Sequence, residues 1–491
     1  MASHSKLRYY FSALLVGTLF SGRILAQDYH AIEGSPYAGS LGTANNPASI
    51  LLSPYSWDLT VFSVEETNTT NALTLHDYSL LSQGKSIVYQ WNNGNYPRYL
   101  ATSFNVHLFN LRIKLGNQQA IAFGANLQSY SIAKTSRFNY NDSLTSFSDF
   151  FGINHASKNT YGGSFASTSW LELTGTYSRT FWDDASSRLN GGMTLKITNG
   201  ISGAYAQVNN GTVEPVVAGG QSTYYLEGGA ARYGYSSNYD YWHNYQSTGK
   251  NLRDFLTHTR IGAAIDLGVE YLIKEGAASS TDNDEEEDAL DYNWKIGVSL
   301  LDLGENIYKN GSQSLTASDP LYTTANQMQS KFSNFSSVAA FNDTVKTIAQ
   351  NTTQNYGSFA VLNPARMVIN VDHPLGYHFF VNGDLAVNLS PSNTGATKRF
   401  YSKEISLFTL TPRWETRKLG VYLPVQVTQQ GQIWVGGAFK AGPLLMGVHN
   451  WGNLLSRNKM ANGGFYIALV IRPHKSDGSE KEAKMYTCPK L

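Results

Sequence analysis

Residues 260–274 alternate without a break. Ile261, Ala263, Ile265, Leu267, Val269, Tyr271 and Ile273 form one face, and Arg260, Gly262, Ala264, Asp266, Gly268, Glu270, Leu272 and Lys274 form the other. A period of two identifies a strand. Strands in soluble sandwiches run about 5–6 residues, and this one is far longer. A strand that crosses a bilayer needs roughly 9–11 residues plus margins, apolar outward and polar or small inward. The segment meets that requirement, and little else in the fold repertoire asks for it.

The same pattern recurs along the chain. In 120–131, Ile121, Phe123, Ala125 and Leu127 oppose Ala122, Gly124, Asn126 and Gln128. In 188–198, Leu189, Met193, Leu195 and Ile197 oppose Asn190, Gly192, Thr194, Lys196 and Thr198. Segments 57–64, 101–115, 168–182, 292–303, 365–373, 377–389, 403–414, 418–428, 432–440, 443–449 and 463–472 also fit. Poor alternation in 101–115 and 403–414 predicts a bulge in each. Pro424 is unwelcome inside 418–428, because an interior ladder position needs its N–H. Gly116–Gln119, Asp183–Ser187 and Glu415–Arg417 are tight turns. Stretches 65–100, 132–167, 200–258 and 305–364 are long, polar and without sustained periodicity. Counting up from a periplasmic start gives about 14 strands, an even number, with every long connection on the outer side. The expected fold is all-β: a transmembrane antiparallel β-barrel with short periplasmic turns and long extracellular loops.

Composition agrees. Charged residues make up 15% and aromatics 13% of 491 residues, against about 25% charged in an ordinary soluble domain. A formal charge of +1 argues against nucleic acid as a partner. One cysteine, Cys488, excludes a disulfide framework and Cys-based metal centres. Tyr55, Trp57, Trp170, Trp182, Tyr292, Trp294 and Trp414 lie near predicted strand ends, where interfacial girdles form. Lys6 and Arg8 precede the apolar stretch Phe11–Gly22, which reads as a secretory signal cleaved near Ala26. The expected organisation is 1–26 signal peptide, 27–56 amino-terminal segment, 57–472 barrel and 473–491 polar tail. That places the protein in the outer membrane, with its bilayer as the first partner.

Three motifs carry a family resemblance: Ser40–Ala48 (SLGTANNPA), Ser299–Ile307 (SLLDLGENI) and Gly442–Gly447 (GPLLMG). Together they resemble an uncharacterised family of Bacteroidota outer-membrane β-barrels, a domain of unknown function. The architecture and Asn46-Pro47-Ala48 are more remotely similar to the FadL-type transporters of hydrophobic compounds. That resemblance implies a luminal hatch built from residues 27–56 around Asn46, Pro47 and Ala48, and a small hydrophobic solute as cargo. Asn-Pro also starts ordinary turns. The chain departs from many barrels at its carboxy end, where a polar tail follows Phe465–Ile471.

Inward-facing ionisable residues are the candidate lumen lining: Glu172, Lys196, Arg260, Asp266, Glu270, Lys295, Arg366, Asp372, Asp384 and Lys440. Mixed signs predict paired charges; a polar conduit lining is the functional alternative. Asp302-Leu303-Gly304 reads as a strand-end turn, with a ligand contact as the alternative, and Asp282–Asp288 as a solvated acidic periplasmic turn without the glycine of a calcium loop. No hydrolase elbow, zinc-protease or nucleotide-loop motif is present, so no enzyme, metal or cofactor is expected. A membrane-embedded hydrolase needs a Ser–His pair on the lipid face. His107 is the one candidate, outward with Phe109 on the better register, and more simply marks a register slip.

Two functions remain. One is a channel or carrier for small solutes, hydrophobic on the FadL resemblance. The other is a structural or interaction barrel at the cell surface, or one docking a secretion or motility complex. An apolar pocket between residues 27–56 and the wall would favour the hydrophobic version.

Overall fold

The computed structural model describes residues 31–76, 88–274, 290–391, 398–452 and 461–473. The expected signal segment 1–26, the acidic run 282–288 and the tail holding Cys488 lie outside the described residues. Fourteen staves form the wall. They are β1 (Trp57–Thr70), β2 (Gly94–Lys114), β3 (Gln119–Tyr140), β4 (Tyr161–Asp183), β5 (Ser187–Ala218), β6 (Arg260–Ile273) and β7 (Trp294–Lys309). Then come β8 (Ser358–Leu362 with Arg366–Gly376), β9 (Phe379–Asn388), β10 (Leu407–Glu415), β11 (Leu419–Tyr422 with Val425–Thr428), β12 (Ile433–Val435 with Gly437–Ala441), β13 (Leu444–Val448) and β14 (Asn462–Ile471). Each pairs antiparallel with the next. Leu59↔Ile471 and Thr60↔Val470 join β14 back to β1 and close the sheet. In hydrocarbon, closure is what leaves no edge group unpaired.

Burial follows the sequence period. On β6, Ile261, Leu267, Val269 and Tyr271 are exposed, while Ala264, Asp266, Glu270 and Leu272 are buried. Phe123, Leu195, Ile197, Leu410, Val421, Phe439, Ile467 and Leu469 continue the outward apolar belt around the wall. Such a belt, about 25 Å tall in membrane barrels, can be covered only by acyl chains. No helix among the described residues is long and apolar enough to cross a membrane. The strands do the crossing.

Three expectations need correction or refinement. A bulge does interrupt β2, between His107 and Phe109, so Leu108 and Phe109 both face outward and His107 turns inward. None interrupts β10, which pairs with β9 in one unbroken register; residues 403–406 precede the strand and spoiled the apparent alternation. Pro424 stays inside β11 at the cost of a ladder bond. Leu423 N donates to Pro412 O at 3.1 Å and Gly436 N to Pro424 O at 2.8 Å, and the register is the same on both sides of the gap.

The long connections are largely wall. β2 to β5 rise well above the belt, and Gln221–Tyr235 folds back on β5, followed by Leu315–Pro320 and Ala349–Gln354. Above the bilayer both faces of a strand meet polar surroundings, so hydrophobic alternation, the signal used to find strands, disappears. The aromatic girdle is also thinner than expected. Trp57, Trp182 and Trp294 are exposed, but Tyr55, Trp170 and Tyr292 are buried on the inward side.

Candidate functional site

The lower lumen, at the end with the short turns, is occupied by residues 31–56. Their core is two short 3-10 helices, Gly39–Ala44 and Pro47–Leu51. Asn46 caps the second: its Oδ1 accepts from Ala48 N at 2.9 Å, and proline takes the first helical position, where no N–H is needed. The same side chain donates from Nδ2 to Val269 O on β6 at 3.1 Å.

The wall is shaped to receive this turn. Ser178, Gly192, Gly268 and Ser299 stand side by side on β4, β5, β6 and β7. Ser178 Oγ donates to Pro47 O at 2.5 Å and Ser299 Oγ to Asn45 O at 2.6 Å. A Cβ on Gly192 would lie 2.5 Å from the Pro47 carbonyl carbon, and one on Gly268 2.9 Å from Pro47 Cδ. Here glycine is required by close approach. The opposite side of the segment is apolar: Ile32, Ala38 and Leu41 pack with Tyr422, Leu445, Tyr466 and Val470.

Buried charges tie the segment down. Arg112 pairs with Asp58 at 2.7 Å and donates to Ile50 O and Tyr55 O, while Asp58 accepts from Ser40 N at 2.6 Å. Arg413 grips Asp372 with both terminal nitrogens, at 2.5 and 2.9 Å, and Glu415 with Nε at 2.8 Å. Glu415 in turn accepts from Ser35 Oγ at 2.7 Å. Lys295 Nζ donates to Gly34 O. Forked arginine pairs of this kind are the strong, directional ones.

A second group lies at mid-height. Lys196 bridges Asp266 at 2.8 Å and Asp302 at 2.6 Å. Arg366 meets Asp302 and Glu404, each at 2.9 Å, and donates to Ala44 O at 3.3 Å. Asp302 is therefore no strand-end turn. It is a bulge residue within β7 at φ +57°, with its carboxylate between two cations. Glu172 accepts from Asn126 at 3.0 Å and from Trp170 Nε1 at 2.9 Å. Lys196, Asp266, Asp302, Arg366 and Glu172, with Asn105, His107, Gln128 and Tyr130, line a cavity of ≈ 30 Å³, room for roughly two waters. A smaller cavity of ≈ 20 Å³ separates residues 32–49 from Glu270 and Asn370. A drug-sized ligand needs roughly 300–1,000 Å³. The cavity beside residues 32–49 lies between the amino-terminal segment and the wall and is lined in part by Ile32, Ala38, Leu41 and Ala44, but it is far smaller than a drug-sized ligand needs.

Higher still, the lumen changes character. Tyr205 stacks on Phe400 at 4.2 Å and meets Phe359 edge-on at 4.8 Å. Tyr308, Trp434, Ile132, Val361 and Ile405 complete an apolar layer contributed by strands on opposite sides of the barrel. Phe400 comes from a short strand, Arg399–Tyr401, that runs parallel to the upper part of β8. Beside it, Lys403 donates to Ser390 O. Burial, and then Lys134, push its ammonium down to about 8.

Of the ten candidate lining residues, nine are buried; Arg260 is exposed at the top of β6, beyond the reach of the lumen network. Asp384 accepts from Asn370 at 3.1 Å, and Lys440 sits 4.4 Å from the Tyr37 ring and 3.8 Å from Glu415. Sequence reasoning missed Asp58, Arg112, Arg413, Glu415 and Glu404. Arg112 and Arg413 belong to the two segments that alternated poorly, so the signal that named the other inward charges was weakest there. His107 is buried inside, 3.2 Å from Asn110 Nδ2, as a register slip requires.

The fold and its filled lumen define a class: a membrane-spanning β-barrel of the outer-membrane type, with an inward-folded amino-terminal segment. Residues 47–448 match the model of a family of unknown function, DUF5723, and the chain belongs to that family. Among curated proteins no match is found. The chain is similar to a TodX deltaS2S3 mutant monoaromatic hydrocarbon channel at 10% identity, covering 88% of this chain and 94% of that one with a TM-score of 0.41. It is similar to a Pseudomonas aeruginosa FadL homologue at 11% identity, covering 91% and 97%, TM-score 0.40. The Ralstonia pickettii toluene transporter TbuX gives 11%, 89% and 94%, TM-score 0.37.

Proposed function

We propose that this protein is a gated outer-membrane carrier for a small solute, with residues 31–56 as its periplasmic hatch. The observation that carries this reading is the seat: four small wall residues shaped around Asn45–Ala48. A barrel of 14 strands is wide enough to need a plug or a channel. A segment held by side-chain to backbone hydrogen bonds is a part that can leave and return. Amide, hydroxyl and charged groups dominate the mid-height cavity, which favours a small polar cargo. The FadL resemblance supports a hydrophobic one instead.

Planar-bilayer recording tests the hatch. The wild-type protein is expected to be nearly silent, and Gly192→Val with Gly268→Val to give stepwise currents as the segment leaves its seat. Limited proteolysis within 31–56 reports whether it has left. A displaced segment with no current removes the carrier reading and leaves the interaction role, which the tall upper wall supports. Vesicle swelling with polar and apolar solutes of matched size then decides the cargo class.

A further inference from the structure

Residues 236–258, between the strand Gln221–Tyr235 and β6, pack against the outside of the barrel. Asn238 Nδ2 donates to Ile201 O on β5 at 2.5 Å, and the Tyr239 hydroxyl meets Ser202 Oγ at 2.8 Å. Ile201 is the bulged residue where β5 shifts register against β4. The helix Thr248–Thr257 is started by Ser247, which accepts from Lys250 N. Its inner side is fixed by Phe255, 5.0 Å from the Tyr239 ring and 6.0 Å from Trp242, and by buried Asn251, which donates to His243 O at 2.8 Å. One turn apart on the flank beside Phe255, Leu252 and Leu256 are exposed; so are Tyr241, Trp242 and Tyr245. Lys250 and Arg253 occupy the other side of the helix.

The chain keeps this cluster, at Leu256, within roughly 17 Å of the top of β6. Leu256 is five residues from Ile261, the first lipid-facing residue of β6, which is 75% exposed. Asn199 on β5 stands across from Ile261, and Ile197, two positions further down β5 and opposite Ala263, is also exposed. The exposed cluster ends only a few polar positions, Thr257 to Arg260, before the first lipid-facing residue of β6, with Arg260 among them and Arg253 next to Leu252. Tryptophan and tyrosine with flanking cations are the chemistry of a headgroup boundary, and a short amphipathic helix is what lies flat in one. We infer that residues 236–258 are a monotopic anchor, with Leu252 and Leu256 immersed in the outer leaflet and Arg253 and Arg260 at its anionic headgroups. The occupant of this face is lipid.

Site-directed spin labelling tests it in the intact chain. In a Cys488→Ser background, nitroxides are placed singly at 252, 256 and, as a solvent reference, at 250, and the protein is reconstituted in anionic phospholipid vesicles. The oxygen-to-nickel-chelate accessibility ratio at 252 and 256 is expected to exceed that at 250 by about threefold or more, as for residues at the headgroup–acyl boundary. Equal, water-like ratios at all three sites would overturn the inference. So would labels shielded from both reagents with concentration-dependent spin–spin broadening, which would make a second copy of the chain the occupant. Heat-modifiable gel mobility verifies that each labelled protein is folded.

Discussion

The lower lumen and the layer around Phe400 fill one barrel by opposite chemistry. Below, the filling is a polar turn in a glycine-lined seat, tied by Arg112, Arg413 and Lys295 to carboxylates and carbonyls. Above, it is stacked rings with few directional bonds. Buried ion networks depend on every member, because removing one partner strands the other without solvent. Apolar packing tolerates change of shape so long as volume is kept. The lower filling is thus the part most sensitive to the loss of a single partner, and the upper the part that tolerates repacking.

The comparison can be broken most severely at Arg413. Arg413→Ala leaves Asp372 buried without its forked partner and Glu415 with the more distant Lys440 at 3.8 Å, and should cost about 3–5 kcal/mol, read as urea unfolding from vesicles. Combining Arg413→Met with Asp372→Leu should recover a large part of that loss, which an additive packing site would not do. Phe400→Ala should cost about 3–4 kcal/mol through the cavity it leaves, while Phe400→Leu should stay near 1. An equally large loss with leucine would mean that the upper layer is as exacting as the lower. Gly268→Val should cost about 1–3 kcal/mol by overpacking the seat, and protease nicking should appear within 31–56 but not around Phe400.

The smallest effect is a pH dependence confined to the upper layer. Lys403 in the folded protein holds its proton only below about 8, whereas the unfolded chain holds it to about 10.4. Between these values the unfolded state binds more protons, so stability should rise with pH across that window. Lys403 is half-buried, and solvent screening keeps the gain within about 1 kcal/mol. Melting at pH 7 and pH 9.5 should differ for wild type and become flat in Lys403→Met.

Much of the wall was legible because a membrane strand must advertise one greasy face. Ile261 to Ile273 shows it at a glance, and the strand count and alternating connection lengths agreed with it. The site was legible only in pieces. Gly192 and Gly268 could be read as small and inward, but not as neighbours in one row, since register between strands is invisible in a single chain. Trp170 sat where a girdle was expected and instead turned inward to stack on Tyr130 at 5.6 Å; position along a strand does not choose between its two sides. Asp302 resembled a turn because a positive-φ bulge and a chain reversal use the same residues.

Arg366 belongs to both fillings. One nitrogen holds Glu404, next to the Phe400 strand, and another holds the carbonyl of Ala44 in the amino-terminal turn. If either neighbour departs alone, the guanidinium keeps its charge in a confined interior and loses an acceptor. On the proposed hatch function, half-open barrels would be the least populated, and the two fillings would act as doors on a single latch.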